Sequence, residues 1–417
     1  MNKHWLMCRL AAAWLAFAML LAPASALCES SEEPAPSTPE MVASLEDELP
    51  RLFDFYDVMG GCVAVFQNGE VTYVYTWGER QRGGDPVTPE CAFQVGSISK
   101  MVANIGLMQL LETQNIPLDT DISQILGYTV RHPEYPDEPI TLRQVMTHTA
   151  ALADSSYYDV ALSGKPRPLQ AMLTGPIAEA NFLKGQKPGQ KSVYSNFGGG
   201  LIACFIEKLS GQTLDDYMTE HVFAPLGITA SYQPARMPES IPLCDMYQMP
   251  ARRLTKALRE DPTHITEPDP EHHYFLTAGK LVISAPDLCK LLIALCDGGV
   301  YGDVRLLKES TAREILTLQN DLGSVFCDSG RGLFLNIIED NQVAGRTMYG
   351  HGGKANGMLC AAYFDPTDRT GVVMLTNGCR NEPVRYGVGM LGYRTLTAVY
   401  ELWLDQEHQE IDAFTVQ

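Results

Sequence analysis

Ser97-Ile98-Ser99-Lys100 opens a run in which Met101, Val102, Ile105, Met108 and Leu111 recur with the period of an α-helix. Residues three apart on a helix share a face, so this spacing predicts an amphipathic helix at whose start the Ser97 hydroxyl and the Lys100 amine meet. A serine hydroxyl is a weak nucleophile until a neighbouring base takes its proton. A lysine becomes such a base only where burial or nearby positive charge lowers its pKa from about 10.4. At ordinary residue frequencies Ser and Lys three apart recur by chance about once in a chain of this length. The pair therefore needs partners elsewhere in the chain.

The 417 residues, 45% of them hydrophobic, suit one large globular domain or two closely packed ones. Residues 1–26 have the layout of a secretory signal: Lys3 and Arg9, an apolar run over 10–22, and Ala24-Ser25-Ala26 before a cleavage point. That run is shorter than the roughly 20 residues that span a bilayer, so it reads as a signal rather than an anchor. Cys28 follows Leu27, whereas lipid attachment wants a small residue there; an uncleaved or lipid anchor is the only membrane association the sequence offers. The expected location is extracytoplasmic. The net charge is −19, and removal of residues 1–26, with two basic residues and no acid, makes it −21. Such a surface repels phosphate backbones and anionic membranes, and nucleic-acid binding is excluded.

Of eleven cysteines, Cys8 falls in the signal and Cys28 in the segment after it. The remaining nine are irregularly spaced with no Cys-x-x-Cys pair, which fits neither a disulfide framework nor a zinc ribbon. Most read as small core residues. Cys62 and Cys379, each bordering a strand-like run, are the pair considered for a disulfide.

Residues 27–44, rich in Ser, Glu, Pro and Thr, read as a flexible linker. The runs 61–66 and 71–75 around Asn68-Gly69 signal a β-hairpin. From about 97 to 273 the pattern is mostly helical, with amphipathic segments at 201–209 and 214–222, and 261–273 reads as an exposed loop. Ser284-Ala285-Pro286-Asp287 starts a helix with a capping box and Pro in the first turn, and Asp287 is assigned to structure. The runs 348–353, 358–364 and 371–376 look like antiparallel strands, followed by a closing helix at about 390–404 and a tail at 406–417. Strands at both ends around a helical middle imply one sheet assembled from distant segments. The predicted domain spans 45–405, its sheet layer 45–96 and 274–405, its helical subdomain about 97–273.

Two further motifs complete a constellation. Tyr194-Ser195-Asn196 follows Pro188-Gly189 and precedes Phe197-Gly198-Gly199-Gly200, so a turn presents a phenol and an amide just ahead of a helix. Tyr349-Gly350-His351-Gly352-Gly353 opens a strand whose glycines let a backbone come close. In this order the three motifs resemble the β-lactamase-related serine hydrolases, the superfamily of class C β-lactamases, D-Ala-D-Ala carboxypeptidases, D-aminopeptidases and esterases. The likeness extends over about 45–405 and includes Phe93-Gln94-Val95-Gly96 before the serine, Thr147-His148-Thr149, and Thr376-Asn377 closing the last strand.

The resemblance implies an α+β fold, an antiparallel sheet flanked by helices with a mostly helical inserted subdomain. It implies Ser97 as the acylated nucleophile, Lys100 as its activating neighbour and Tyr194 as the proton shuttle. Asn196 would orient the acyl amide, His351 would stand where many members carry a lysine, and backbone N–H groups of Ser97 and Lys354, beside Gly353, would form the oxyanion hole. No metal or organic cofactor is implied, and the partner is a small-molecule or peptide substrate of ester, amide or D-peptide type, in keeping with a cell-wall origin. The third motif departs from β-lactamases, since His351 and Gly352 replace a fixed cation and a hydroxyl. Histidine is only partly protonated near pH 7. A true β-lactamase and a non-catalytic peptidoglycan-binding or peptide-binding protein stand as the alternative readings. Thr147-His148-Thr149 is read as a packing element, and His272-His273 lacks a partner motif for metal.

Overall fold

The computed structural model describes residues 44–320, 322, 330–380, 383–385 and 388–405. The expected signal segment, all of the linker but Ser44, and the C-terminal tail lie outside them. Among the described residues no helix is long and apolar enough to cross a membrane.

Leu45–Phe55 (α1) leads into a hairpin of Gly60–Gln67 (β1) and Glu70–Gly78 (β2), with Asn68 and Gly69 at the turn both left-handed, at φ 53° and 87°. Ile98–Gln114 (α2), Asn196–Ser210 (α3) and Ala285–Cys296 (α4) are the long helices of the middle of the chain. Gly330–Arg331 (β3), Asn336–Glu339 (β4), Thr347–Ala355 (β5), Met358–Asp365 (β6) and Thr370–Thr376 (β7) precede the closing Met390–Val399 (α5). The strands form an antiparallel sheet of order β3-β4-β5-β6-β7-β1-β2. Its hydrogen bonds thus join the two ends of the chain, Cys62 pairing with Leu375. The fold is α+β, a large antiparallel sheet flanked by helices.

Side chains alternate across a strand, so each central strand feeds two cores. Cys62, Ala64, Phe66, Cys360, Ala362, Val373 and Leu375 pack with α2, α3 and α4. Val63, Val65, Leu359, Ala361, Tyr363, Val372 and Met374 pack with α1 and α5. Coverage on both faces explains why β1, β6 and β7 are apolar runs without alternation, while the edge strand β2 alternates.

The same two-sided architecture corrects three expectations. Cys62 faces the first core and Cys379 the second, so the sheet stands between them and the two do not bridge. The α2 helix is not amphipathic: from Ile98 to Met108 every side chain is buried, since α2 runs between the sheet and α3. Its polar residues are satisfied inside, Ser99 Oγ accepting from Leu281 N at 3.0 Å and Asn104 Nδ2 donating to Leu333 O at 3.1 Å. The α3 helix is likewise buried from Phe197 to Glu207. Nor is 261–273 simply an exposed loop, for Asp261 and His273 are buried. At Ser284 the predicted N-cap forms, its side chain accepting from Asp287 N at 3.2 Å, and Asp287 pairs with Lys290.

Candidate active site

Ser97 lies at the N-terminus of α2 without making a side-chain cap, so its hydroxyl is free for other contacts. Lys100 Nζ donates to Ser97 Oγ at 3.0 Å, to Asn196 Oδ1 at 3.0 Å and to Ala278 O at 2.7 Å. The lysine is fully buried, and three neutral acceptors take its three N–H groups. Its stem reaches them because Gly199 on α3 has no side chain: a Cβ there would lie 2.5 Å from Lys100 Cδ and Cε.

The Tyr194-Ser195-Asn196 turn is held from two sides rather than exposed. Ser195 caps α3, accepting from Gly198 N at 2.9 Å. The Asp154 carboxylate accepts from Ser195 Oγ at 2.9 Å, Asn196 N at 3.0 Å, Asn196 Nδ2 at 2.8 Å and Phe197 N at 2.9 Å. On the other side His148, left-handed at φ 57°, accepts from Ser195 N through Nδ1 at 3.3 Å and lays its ring 4.4 Å from that of Tyr194. Burial first, then the cations Arg331 and Lys100, hold this imidazole well below its ordinary pKa, in the neutral form. His148 is thus the packing element that its motif suggests. The Tyr194 ring lies 5.2 Å from Lys100 Nζ and 6.0 Å from the Arg331 guanidinium carbon.

On β5, the ladder with β4 ends at the Asn336–Gly350 pair, and among the described residues 351–355 pair as a strand with β6 alone. That stretch meets the turn before Ser97: the backbone N of Lys354 lies 3.0 Å from where a Cβ on Gly96 would stand, and Gly96 is left-handed at φ 55°. Gly353 allows the approach, since a Cβ on it would lie 2.1 Å from Val95 O. The glycine therefore accommodates the chain's own backbone beside the nucleophile. His351 is buried, and its Nδ1 donates to Gly352 O at 2.5 Å. Burial, then Lys100, pushes it down to about 3, so it is neutral near pH 7 rather than partly protonated. Its Nε2 has no hydrogen-bond partner among the described residues and can accept one.

Two cavities meet at Ser97. The larger, about 890 Å³, is walled by the 158–166 and 256–280 segments together with Gln94, Asn196 and Lys354. The smaller, about 290 Å³, is lined by Tyr194, Asn196, Arg331, Asn336 and the 351–354 edge. Arg331 is buried and donates to Asn336 Oδ1. Neither Asp154 nor Arg331 stands in a motif, since each lies far along the chain from the Tyr194 turn that it faces. Among the described residues no group of three or more His, Cys, Asp or Glu is arranged to hold a metal ion. His272 and His273 instead pair with Asp269 and Glu207 at 2.8 Å.

The family model described as Beta-lactamase matches residues 45–388. The chain belongs to the Beta-lactamase family. Its relatives include penicillin-binding protein 4 of Amycolatopsis lactamdurans, 27% identical, with 81% of this chain and 85% of that one covered. The D-alanyl-D-alanine-carboxypeptidase/endopeptidase AmpH of Escherichia coli strain K12 is 26% identical over 53% of this chain and 57% of its own. Among solved structures, the D-amino acid amidase of Ochrobactrum anthropi SV3 complexed with L-phenylalanine superposes with a TM-score of 0.65 at 19% identity, covering 87% of this chain and 99% of that one, and shares the fold. This Beta-lactamase family member is therefore a penicillin-binding-protein-like serine hydrolase by kinship.

Proposed function

We propose that the protein is an exported serine hydrolase of carboxypeptidase type, which forms an acyl-enzyme on Ser97 and cleaves the last amide bond of a small, D-configured or cell-wall-derived peptide. The observation that carries the reading is the contact of a buried lysine amine with the Ser97 hydroxyl at 3.0 Å. For the attack Lys100 must give up the N–H it points at Ser97 Oγ; the neutral amine, still donating to Asn196 Oδ1 and Ala278 O, then takes the hydroxyl proton as Oγ attacks the carbonyl carbon, and the tetrahedral oxyanion is met by backbone N–H groups of Ser97 and Lys354. The N-terminus of α2 adds a favourable field. Tyr194 passes the proton to the leaving amine, the C–N bond breaks, and water releases the acyl group by the same steps in reverse. Asn196, its amide fixed between Asp154 and Lys100, orients the acyl chain.

Arg331 supports the carboxypeptidase type. His351 is neutral and offers only an acceptor at Nε2, so it cannot act as a cation for a carboxylate. A buried guanidinium lining the small cavity can. Export rests on the signal-like residues 1–26.

The test is a fluorophosphonate probe and labelled penicillin with peptide mapping, followed by a screen of p-nitrophenyl esters, D-amino-acid amides, D-Ala-D-Ala peptides and nitrocefin against wild type and Ser97→Ala. Labelling at Ser97 and turnover lost in the variant are expected. No labelling by either reagent sinks the reading; nitrocefin turnover above peptide turnover replaces it with a β-lactamase. Muropeptide binding unchanged in Ser97→Ala with no turnover replaces it with a binding protein. In Arg331→Met, KM should rise about tenfold or more for a peptide with a free terminal carboxylate and little for its methyl ester.

A further inference from the structure

The large cavity carries a charge that the catalytic steps do not use. Lys256 Nζ bonds Asp261 Oδ2 at 2.6 Å and Gln94 Oε1 at 2.7 Å. Lys280 Nζ reaches both Asp261 oxygens at 3.3 Å and Thr263 Oγ1 at 2.6 Å. Two ammonium groups thus share one carboxylate, leaving one positive charge in excess. Among the charged residues described along the cavity's lining, Lys256, Lys280 and Lys354 face the single acid Asp261, in a chain whose net charge is −19. His272 and His273 turn to Asp269 and Glu207, each at 2.8 Å.

The cluster is built rather than incidental. Asp261 is buried, and the two lysine side chains are each only 19% exposed. Although burial works to raise it, Lys256, Thr263 and Lys280 hold the Asp261 carboxyl well below the usual range, while burial and then Lys256 push the Lys280 ammonium down. Gln94, which accepts from Lys256, donates to Gly279 O at 2.8 Å, and the neighbouring Ala278 O accepts from Lys100. Two backbone carbonyls in a row therefore tie the cluster to the nucleophile's own lysine. Where a cavity already excludes much of the solvent, an unneutralised ammonium is attracted to an anion far more strongly than on a surface.

We propose that Lys256 and Lys280, held on Asp261, form a subsite for a carboxylate on the acyl side of the substrate, so that the enzyme selects acidic peptides or acyl arms. The assignment of sides rests on the acyl-enzyme reading above: Tyr194, which protonates the leaving group, lines the small cavity and not the large one. The acyl arm then lies in the large cavity, where the Tyr158 and Phe275 side chains flank its stem and the lysine pair meets its charge.

The experiment compares p-nitrophenyl hydrogen suberate with its methyl ester, and suberyl-D-Ala-D-Ala with its methyl suberyl analogue, as the ratio of kcat/KM within each enzyme. Wild type should favour the free carboxylate about tenfold or more. Lys280→Met and Lys256→Met each leave a neutral pair with Asp261, and the ratio should fall to near one in either. Asp261→Asn should raise it. A wild-type ratio near one, or a preference that survives in both lysine variants, overturns the subsite. The ester pair reads the acyl side whatever the leaving group, so failure on the peptides alone counts against the carboxypeptidase reading and not against the subsite. Should nothing turn over, calorimetry with Ser97→Ala decides: suberyl-D-Ala-D-Ala binding about tenfold tighter than its methyl analogue supports the subsite, and equal affinity overturns it.

Discussion

Asp154 and Asn196 are joined twice, the carboxylate accepting from the Asn196 backbone N at 3.0 Å and from its Nδ2 at 2.8 Å. With Nδ2 so engaged, Oδ1 must face Lys100, whose amine it meets at 3.0 Å. An acid outside the three motifs thus decides which way the substrate-facing amide points. Asp154→Asn would set amide against amide and release that choice. Removing hydrogen bonds to a charged group costs about 1.5–3 kcal/mol, so kcat/KM on an amide substrate should fall about tenfold to a hundredfold, more through kcat than KM. A variant with wild-type kcat would show that Asn196 orients itself.

Lys100 has a second role besides its contact with Ser97, since it ties α2 to α3 and to the 278 carbonyl. Lys100→Arg keeps a long basic side chain with N–H donors at this position, but a guanidinium does not take the proton of Ser97. Loss of a positioned base costs about a hundredfold to ten-thousandfold, which burst kinetics with a p-nitrophenyl ester will read in the acylation phase. Acylation at wild-type rate would remove Lys100 from the chemistry.

Gly199→Ala tests the route by which the lysine stem reaches its acceptors. The added Cβ would lie 2.5 Å from Lys100 Cδ and Cε, inside any tolerable contact, while the helix itself gains a better former. Activity should fall about tenfold or more with little loss of melting temperature. Equal losses of both would mean that the methyl group disrupts α3 rather than displacing the amine.

His351 gives a pH dependence of known sign. Its pKa is about 3 in the folded chain against 6.5 ordinarily, so between these values the unfolded chain binds a proton that the folded chain refuses. Its contribution to stability is whole above about pH 6.5 and is lost as the pH falls towards 3. The drop in melting temperature between pH 7 and pH 4.5 should therefore be smaller in His351→Gln than in wild type. Because His351 stays neutral, its replacement should leave the limbs of the pH–rate profile between pH 5 and 8 where they are; a limb that vanishes would mean that the imidazole titrates during turnover.

The hairpin at Asn68-Gly69, the three later strands and the Ser284 cap were legible because each is fixed by local chemistry: left-handed turn residues, β-rich runs and a side chain three residues from its N–H. The serine–lysine contact was legible for the same reason. The burial of α2 was not, because an apolar period reports one face, and Ser99, Lys100 and Asn104 turn inward only once α3 covers them. Asp154 and Arg331 were hidden because nothing near them in sequence indicates which turn or cavity they serve. The 261–273 segment misled through its composition: Pro, Asp, Glu and His usually mean solvent, yet here Asp261 and His273 find partners inside, in Lys256 and Lys280 and in Glu207.

The enclosure of α2 between sheet and α3 ties catalysis to cohesion of the whole domain. Amide hydrogens in the buried middle of this helix should exchange only when the entire domain opens, so heat should abolish turnover and cooperative structure together. The wall around Asp261 is built from loops and ion pairs outside that helix, so changes there can alter acyl selectivity while the reactive pair stays fixed.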